Sequence, residues 1–379
     1  MITPTKEQAA AIKKIVEWYK DPNQREFYLA GYAGTGKSTI FNIALEELQQ
    51  THKVSNVKVG AYTGKAASVL RKKGIGQAQT IHSMIYKPVE DKETGKLKFI
   101  LSPDSDASEA HLIALDECSM VDNKLASDLR SYGKKILVMG DPGQLPPVNG
   151  LGAFTNRKPD VFLQEIHRQA ADSPIIRLAT MVRKGEALPK TFSEGKVKVQ
   201  LLTKESQELV YNQNTQPICG LNRVRHAYTQ RIRQRLGFEG REPLPGERIM
   251  CCKNNQELGI FNGQMGELIS YEEEKRKDKL KLVTLKAELE DRGTIESNKV
   301  DPYLFKTHFD QQAKKLLARG MWLDEFDWAY IITCHKAQGS QWEHVTIVDD
   351  SQVFKENSHR WMYTALTRSE RGLTVLLRD

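Results

Sequence analysis

The chain has 379 residues, 39% of them hydrophobic, which is enough to bury sizeable cores in two or three domains and excludes an intrinsically disordered chain. Its formal net charge of +8, from 56 basic and 48 acidic residues, favours a polyanionic partner, but the excess is too modest to identify one. Cys118, Cys219, Cys251, Cys252 and Cys334 show no CxxC spacing and are odd in number, which fits neither a disulfide framework nor a zinc site and agrees with reducing surroundings.

The first predicted element is a helix N-capped by Thr5, with Gln8 three residues on and Ala9, Ile12, Ile15, Val16 and Tyr19 on its buried face. It should end near Asp21 and Pro22. The opening MITPTKEQAAAIKK lacks a long apolar core and a cleavage pattern, and no stretch of about 18 apolar residues occurs. A soluble, cytoplasmic protein with no membrane partner is expected. Strand-like and helical runs then alternate: EFYLAG and a helix from Lys37, VKVGAYT and a helix from Lys65, HLIALDE and a helix from Asp122, then KKILVMGD. Such alternation predicts a parallel sheet with crossover helices. Residues 84–107 hold two short strand-capable runs around a Thr94-Gly95 turn, which reads as a hairpin. A second alternating set comprises QPICGLN, the helix NRVRHAYTQRIRQR, WAYIITCHKA, HVTIVDD, a helix around HRWMYTALTRS, and GLTVLLRD. Residues 263–327, where GQMGELISY and LKLVTLKAEL flank EEEKRKDK, predict a small β-rich insertion with a charged loop.

Chemistry concentrates at the ends of the predicted strands. GYAGTGKST, residues 31–39, has the G-x-x-x-x-G-K-[ST] spacing between a strand and a helix. Glycines there let backbone N–H groups approach phosphates, Lys37 reaches the terminal phosphates and Ser38 can ligate Mg²⁺. IALDECSM ends a hydrophobic strand in Asp116 and Glu117, the first suited to hold Mg²⁺ through water and the second to orient and deprotonate an attacking water. An Asp-Glu pair is often merely solvated; beside a phosphate loop it favours hydrolysis. In GDPGQLPPV, turn chemistry accounts for the prolines and glycines and leaves Gln144, whose amide either satisfies the loop backbone or donates to a γ-phosphate oxygen. Arg168 in EIHRQ and Arg368 in YTALTRS are candidates for stabilising charge on the transferred phosphoryl group.

Taken in order, EQAAAI, GYAGTGKST, AYTGKAAS, TIHSM, DECSM, GDPGQLPPV, HRQ, GERIMCCKN with FNGQMGE, TCHKAQGSQW and YTALTRS cover nearly the whole chain. The series resembles the superfamily 1 helicases, most closely the RecD and Dda branch (SF1B), which moves 5′ to 3′ on single strands. The resemblance implies an α/β fold of two RecA-like parallel-sheet domains in tandem, residues 1–83 with 108–170 and residues 171–262 with 328–379. Residues 84–107 would be a strand-separating pin, and residues 263–327 an SH3-like insertion that braces the pin or roofs the channel. ATP and Mg²⁺ are the implied cofactors. Gln8 would read adenine, and Gly34, Thr35, Gly36, Lys37, Ser38, Thr39, Gln144, Arg168, Gly339 and Arg368 would surround the nucleotide. Lys37, Glu117, Gln144, Arg168 and Arg368 would serve catalysis, with Ser38 and Asp116 at the metal. Tyr62, Thr63, Gly64, Lys65, Ala66, Thr80, His82, Thr333, His335 and Lys336 would face the DNA. The chain departs from the pattern at Tyr32, where Pro is frequent, at Ser38 and Cys118, where Thr and Ala are common, and at Gln341, where Glu is usual.

A single-strand track needs hydroxyls, amides and cations for phosphates and flat side chains for bases. Thr63, Lys65, Thr80, Thr333, His335 and Lys336 are of the first kinds. Tyr62, Tyr86, Trp328, Trp342 and Trp361 are of the second, although burial in a core is the commoner fate of each. Arg223, Arg225, Arg231, Arg233 and Arg235 form either a basic binding face or a solvated helix face. The expected function is an ATP-dependent DNA helicase that translocates on single-stranded DNA and unwinds duplexes in replication, recombination or repair. Single-stranded and forked DNA are its expected partners, a single-strand-binding or replication protein a further candidate, and a monomer in a bacterial or phage-infected cell its expected form. The alternatives are a single-strand translocase that displaces bound proteins with little unwinding, and an ATP-gated binding module, against which Glu117 argues. A small-molecule kinase would leave the second α/β domain without a role.

Overall fold

Thr5 and Gln8 form the predicted reciprocal cap: the Thr5 hydroxyl accepts from the Gln8 N–H (3.3 Å) and the Gln8 side-chain oxygen accepts from the Thr5 N–H (3.0 Å). The helix runs Lys6–Lys20 and buries Gln8, Ala11, Ile12, Ile15, Val16 and Trp18; Ala9 faces solvent. The computed structural model describes residues 4–72, 74–90, 97–147, 152–165, 172–255, 257–273, 281–290, 292–316 and 322–378. Among these, no helix is long and apolar enough to cross a membrane.

The first sheet contains β1 (Glu26–Gly31), β2 (Val57–Ala61) and β3 (Gln79–Thr80), then, beyond the hairpin strands β4 (Tyr86–Glu90) and β5 (Leu97–Leu101), β6 (Leu112–Asp116), β7 (Lys135–Gly140) and β8 (Val161–Leu163). Its order is β3-β2-β6-β7-β1-β8, all parallel. Parallel strands are covered on both faces, which is why these runs read as continuous Leu, Ile, Val and Ala rather than as alternation. Helices Lys6–Lys20, Lys37–His52 and Gly64–Lys72 cover one face, and Ile81–Ile85 and Asn123–Arg130 the other.

The second sheet contains β9 (Phe192–Glu194), β10 (Val197–Leu201), β11 (Gln216–Cys219), β17 (Ile332–Thr333), β18 (Trp342–Val348) and β19 (Ser369–Leu377). It is parallel in the order β17-β11-β18-β19-β10, with β9 antiparallel at its edge. β8, β9 and β10 lie where no element is predicted, because short, charge-interrupted runs carry little periodicity; the helix Pro174–Arg183 is also unpredicted, although Ile175, Leu178, Ala179 and Val182 mark a buried face at helical spacing.

Inserted in the chain between β11 and β17 is a closed barrel of β12 (Arg248–Cys251), β13 (Met265–Glu273), β14 (Val283–Leu289), β15 (Gly293–Asp301) and β16 (Asp324–Trp328). The barrel begins before residue 263, which corrects the predicted boundary. Ile249 pairs with both Gly266 and Trp328, and that non-local pairing, not the local RIMC pattern, assigns β12 to the barrel. Gly266 is required there: an added Cβ would lie 2.1 Å from the Glu288 carbonyl. WAYIITCHKA, predicted as one strand, is divided, with Trp328 closing the barrel and Ile332 opening β17. The connecting residues 329–331 are all buried, at 0%, 4% and 0% exposure.

The arginine-rich helix Asn222–Arg235 is not a free basic face. Arg225 and Arg233 are 3% and 2% exposed, because each answers a buried carboxylate. Arg225 Nη1 lies 2.5 Å from Asp327 Oδ2. Arg233 Nε donates to Glu247 Oε1 (2.6 Å), its Nη1 and Nη2 donate to the carbonyls of Gly240 and Glu242 (2.8 Å each), and its guanidinium stacks on Trp328. Arg235 pairs with Glu208 at the surface. Trp328 and Trp361 are core residues at 0% exposure, and Trp342 packs against the second core, so none of these three is a stacking platform.

β4 and β5 pair antiparallel from Tyr86↔Leu101 to Glu90↔Leu97. The Thr94-Gly95 turn lies outside the described residues, as do residues 274–280 of the charged run.

Candidate nucleotide cleft and nucleic-acid groove

β1 ends in a loop whose Gly34 and Gly36 take φ values of +82° and +81°, a left-handed backbone that glycine adopts without a Cβ penalty. The helix Lys37–His52 follows with no side-chain cap at Gly36, so its first N–H groups are open to an anion. Within the loop, Lys37 Nζ donates to the carbonyls of Gly31 (2.7 Å) and Tyr32 (3.1 Å). Gln8 Nε2 donates to the Thr35 carbonyl (3.1 Å).

A cavity of about 330 Å³ opens above this loop, between the two sheets. It gathers Gly34, Gly36, Lys37, Ser38, Thr39, Asp116, Glu117, Gln144, Gly339, Gln341 and Arg368. Gln8 and Thr35, at 3% and 1% exposure, stand behind its wall. Arg168 lies outside the described residues. The Ser38 hydroxyl and the Asp116 carboxylate line the same space. Two protein oxygens suit Mg²⁺, which keeps water ligands and takes others from phosphates.

Glu117 has left-handed angles (φ 52°, ψ 41°), a strain of about 1–3 kcal/mol for a non-glycine residue, and its N–H donates to Asp116 Oδ1 (2.8 Å). Asp141 is 1% exposed. Burial pushes its carboxyl pKa up, against the opposing pull of Lys37 and Tyr363. Gln144 is 6% exposed, and its side-chain oxygen has no partner among the described residues, an acceptor costly to leave unmet.

The second domain closes the cleft with residues the sequence does not single out. The Tyr363 hydroxyl donates to Asp141 Oδ2 (2.7 Å) and accepts from the Ala33 N–H (3.0 Å). Thr364 Oγ1 accepts from the Leu145 N–H (2.9 Å), and Gln338 Nε2 donates to the Leu145 carbonyl (3.0 Å). Arg183 places its guanidinium 3.6 Å over the Tyr32 ring. Tyr363, Thr364 and Gln338 sit inside YTALTRS and TCHKAQGS, but which partner each meets depends on packing between domains. Arg368 is 3% exposed; its nitrogens donate to Thr364 O (3.1 Å), Ser340 O (3.2 Å) and Thr367 Oγ1 (3.2 Å).

A second cavity of about 550 Å³ lies between the first domain, the hairpin and the barrel. The first domain contributes Tyr62, Thr63, Thr80 and His82, and the hairpin Tyr86, Pro88 and Phe99. The barrel side supplies Cys252, Lys253, Asn254, Asn255, Phe261, Asn262, Lys299 and Trp322. The rings of Tyr62, His82 and Tyr86 form a row with centroids 6.3 and 5.5 Å apart. Across the groove, Phe99 meets Trp322 edge-on at 5.0 Å, and Lys253 lies 3.6 Å over the Trp322 ring. The barrel wall was detectable only as CCKNN and FNG, polar runs that signal exposure without saying to what.

The groove does not collect every residue expected to face DNA. Gly64 presses on Phe261, where an added Cβ would lie 2.0 Å from Phe261 Cβ. Lys65 Nζ is 3.8 Å from Glu290, and Ala66 lines the nucleotide cleft instead. Thr333 caps the short helix Cys334–Ala337, and His335 packs its ring 5.8 Å from Phe354. Lys336 Nζ bonds Cys252 Sγ (3.4 Å) and stands 3.6 Å from the buried Asp327. Caps and internal charge partners account for these placements.

Residues 3–200 match the AAA domain family, and residues 328–376 the UvrD-like helicase C-terminal domain. The chain is 28% identical over 393 residues to the ATP-dependent RecD2 DNA helicase of Deinococcus radiodurans, covering 96% of this chain and 48% of that protein. It is 21% identical to a probable conjugal transfer protein TraA of Sinorhizobium fredii, covering 91% and 30%. The chain therefore spans less than half the length of these relatives. Among solved structures, the Pif1 helicase from Bacteroides in complex with ADP-AlF3 and ssDNA superposes with a TM-score of 0.59 at 18% identity, covering 99% of this chain and 92% of that one. Pif1 from Candida albicans gives 0.55 at 19%, covering 100% and 95%. At such identities the likeness is one of fold. The AAA match runs over more than half of the chain, the helicase C-terminal match closes it on the second sheet, and both meet at the cleft that joins Lys37 to Arg368; the chain belongs to the superfamily 1B helicases of the RecD-like branch.

Proposed function

We propose that the protein is an ATP-dependent DNA helicase that hydrolyses ATP in the interdomain cleft, moves 5′ to 3′ along a single strand in the groove, and parts a fork at the hairpin. The observation that carries this reading is the wall the two cavities share. Thr63 lines the groove, Ala66 one turn later lines the cleft, and Gly339 of the second domain meets both, so that an added Cβ would lie 2.7 Å from Thr63 Oγ1 and 3.0 Å from Ala66 Cβ. A change in the gap at Gly339 is felt on both sides.

In this reading Lys37 exchanges its loop carbonyls for phosphate oxygens, and Ser38 and Asp116 hold Mg²⁺, which supplies charge neutralisation at the phosphates. Glu117 orients and deprotonates water, Gln144 senses the terminal phosphate, and Arg368 and Arg168 have the role of stabilising the developing charge. Gln8 stands behind the loop for the adenine. Tyr62, Thr63, Thr80 and His82 hold the strand against the barrel. The RecD2 relative is ATP-dependent by name, and Pif1 structures include one described for DNA unwinding at forked dsDNA. A monomer in the cytoplasm of a bacterial or phage-infected cell, with a single-strand-binding or replication protein as partner, completes the proposal.

The test is a labelled fork with a 5′ or a 3′ tail, in DNA and in RNA. Strand separation from the 5′ DNA tail is expected. No separation with either tail, despite robust DNA-stimulated hydrolysis, removes the unwinding claim and leaves a translocase that displaces bound proteins.

A further inference from the structure

The second domain grips two consecutive residues of the phosphate loop with side chains of different chemistry. Arg183 lies over the Tyr32 ring, and Tyr363 accepts the Ala33 N–H. Tyr363 is 2% exposed. A phenol hydroxyl has one proton to give; here it goes to Asp141 Oδ2. The hydroxyl's lone pair is therefore what takes Ala33.

Asp141 in turn shapes its own loop. Its Oδ1 accepts from the Gly143 N–H (2.9 Å) and its carbonyl accepts from the Gln144 N–H (3.1 Å). The Tyr363 ring fills the space above Gly143, where an added Cβ would lie 3.0 Å from Tyr363 Cε1. The phosphate loop and the Gln144 loop, both of the first domain, are thus joined through one hydroxyl of the second. Thr364 reaches Leu145 but not the phosphate loop, and the Arg368 nitrogens are bonded within their own domain.

We propose that Tyr363 is a positioning residue for ATP hydrolysis: docked between Ala33 and Asp141, it sets Gln144 against the terminal phosphate, so that Gln144 is aligned only when the second domain is in place. The proposal rests on the reading of the cleft as an ATP site. It is not a contact to substrate, and its effect passes through Gln144.

The experiment compares DNA-stimulated ATP hydrolysis by the full chain with that of Tyr363→Phe, Gln144→Ala and the double variant. Tyr363→Phe keeps the ring on Gly143 and strands the two hydrogen-bond partners. Its kcat should fall about tenfold to a hundredfold, since small misplacements at a reacting centre cost that much, while KM for ATP stays within about threefold. Added to Gln144→Ala, it should cause no further loss, because the two act as one unit. A Tyr363→Phe variant with parental kcat, a loss confined to KM, or losses that multiply in the double variant would each overturn the proposal. If Tyr363→Phe does not fold, Asp141→Asn approaches the same bond from its other end and must give the same kcat loss at unchanged KM. A parent chain that hydrolyses no ATP defeats the ATP-site reading itself, a result distinguishable from the others.

Discussion

At Glu117 a side chain suited to activating water is carried on a left-handed backbone, a conformation that strains a non-glycine residue. The strain turns the chain sharply out of β6 and places the carboxylate in the cleft one residue after Asp116. Glu117→Gln is therefore expected to keep nucleotide affinity and to lose about 10²- to 10⁴-fold in kcat, measured by steady-state hydrolysis alongside nucleotide titration; a parental rate would remove Glu117 as the base. Residues of this kind were legible beforehand because the P-loop and DECSM spacings are local. Tyr363 was not, since its partner Asp141 lies 222 residues away, and Arg225 was misread because the carboxylate that buries it is 102 residues distant.

Among the elements, the barrel is joined to the second domain through a buried charge cluster. Burial alone would raise the Asp327 pKa, but Arg225, His308 and Lys336 outweigh it and hold the carboxyl below the usual range. Nearby, burial first and then His308 and Arg225 pull His226 down to about 3, and the His226 and His308 rings stand 4.1 Å apart. A depressed histidine pKa means that the unfolded chain binds more protons, so the stabilisation is complete above the unfolded value of about 6.5 and is lost as pH falls toward the folded one. The denaturant midpoint should decline from about pH 6.5 to pH 4, and His226→Gln should flatten the decline; parallel curves would disprove the assignment. At the other end of the barrel, Phe99 on the hairpin meets Trp322. An aromatic pair is worth about 0.5–1.5 kcal/mol, so Phe99→Ala should lower fork unwinding roughly twofold to tenfold while single-strand-stimulated hydrolysis persists. Equal losses in both assays would show that the pair braces more than the hairpin. Of the strands of this region, β13 and β14 were legible in GQMGELISY and LKLVTLKAEL, but β15 and the barrel's closure by β12 and β16 were not, because pairing between distant runs leaves no periodic mark.

Over the whole molecule, a net charge of +8 favours a polyanionic partner only modestly, and among the described residues the groove answers its cations internally. Lys253 sits on Trp322 and near Glu325, Lys299 bonds Glu257 (3.0 Å), and Lys336, behind the groove residue Cys252, faces Asp327. With at most about three such cations to release counterions, single-strand binding should weaken with salt at a logarithmic slope no steeper than about −2. Titrations across ionic strength check this, and a slope of about −4 or steeper would place the strand on a different, more basic path. The tandem α/β plan was legible because its parallel strands are built around apolar runs that alternate with helical ones, whereas the relation between domains is set by side chains from both.

The three buried residues between Trp328 and Ile332 join the barrel's last strand to the edge of the second sheet with no slack. In the proposed mechanism, the roof of the groove and one jaw of the cleft are therefore expected to move as arms of a single lever with its fulcrum in that stem, a small rotation at the cleft becoming a displacement at the far end of the barrel, against the hairpin.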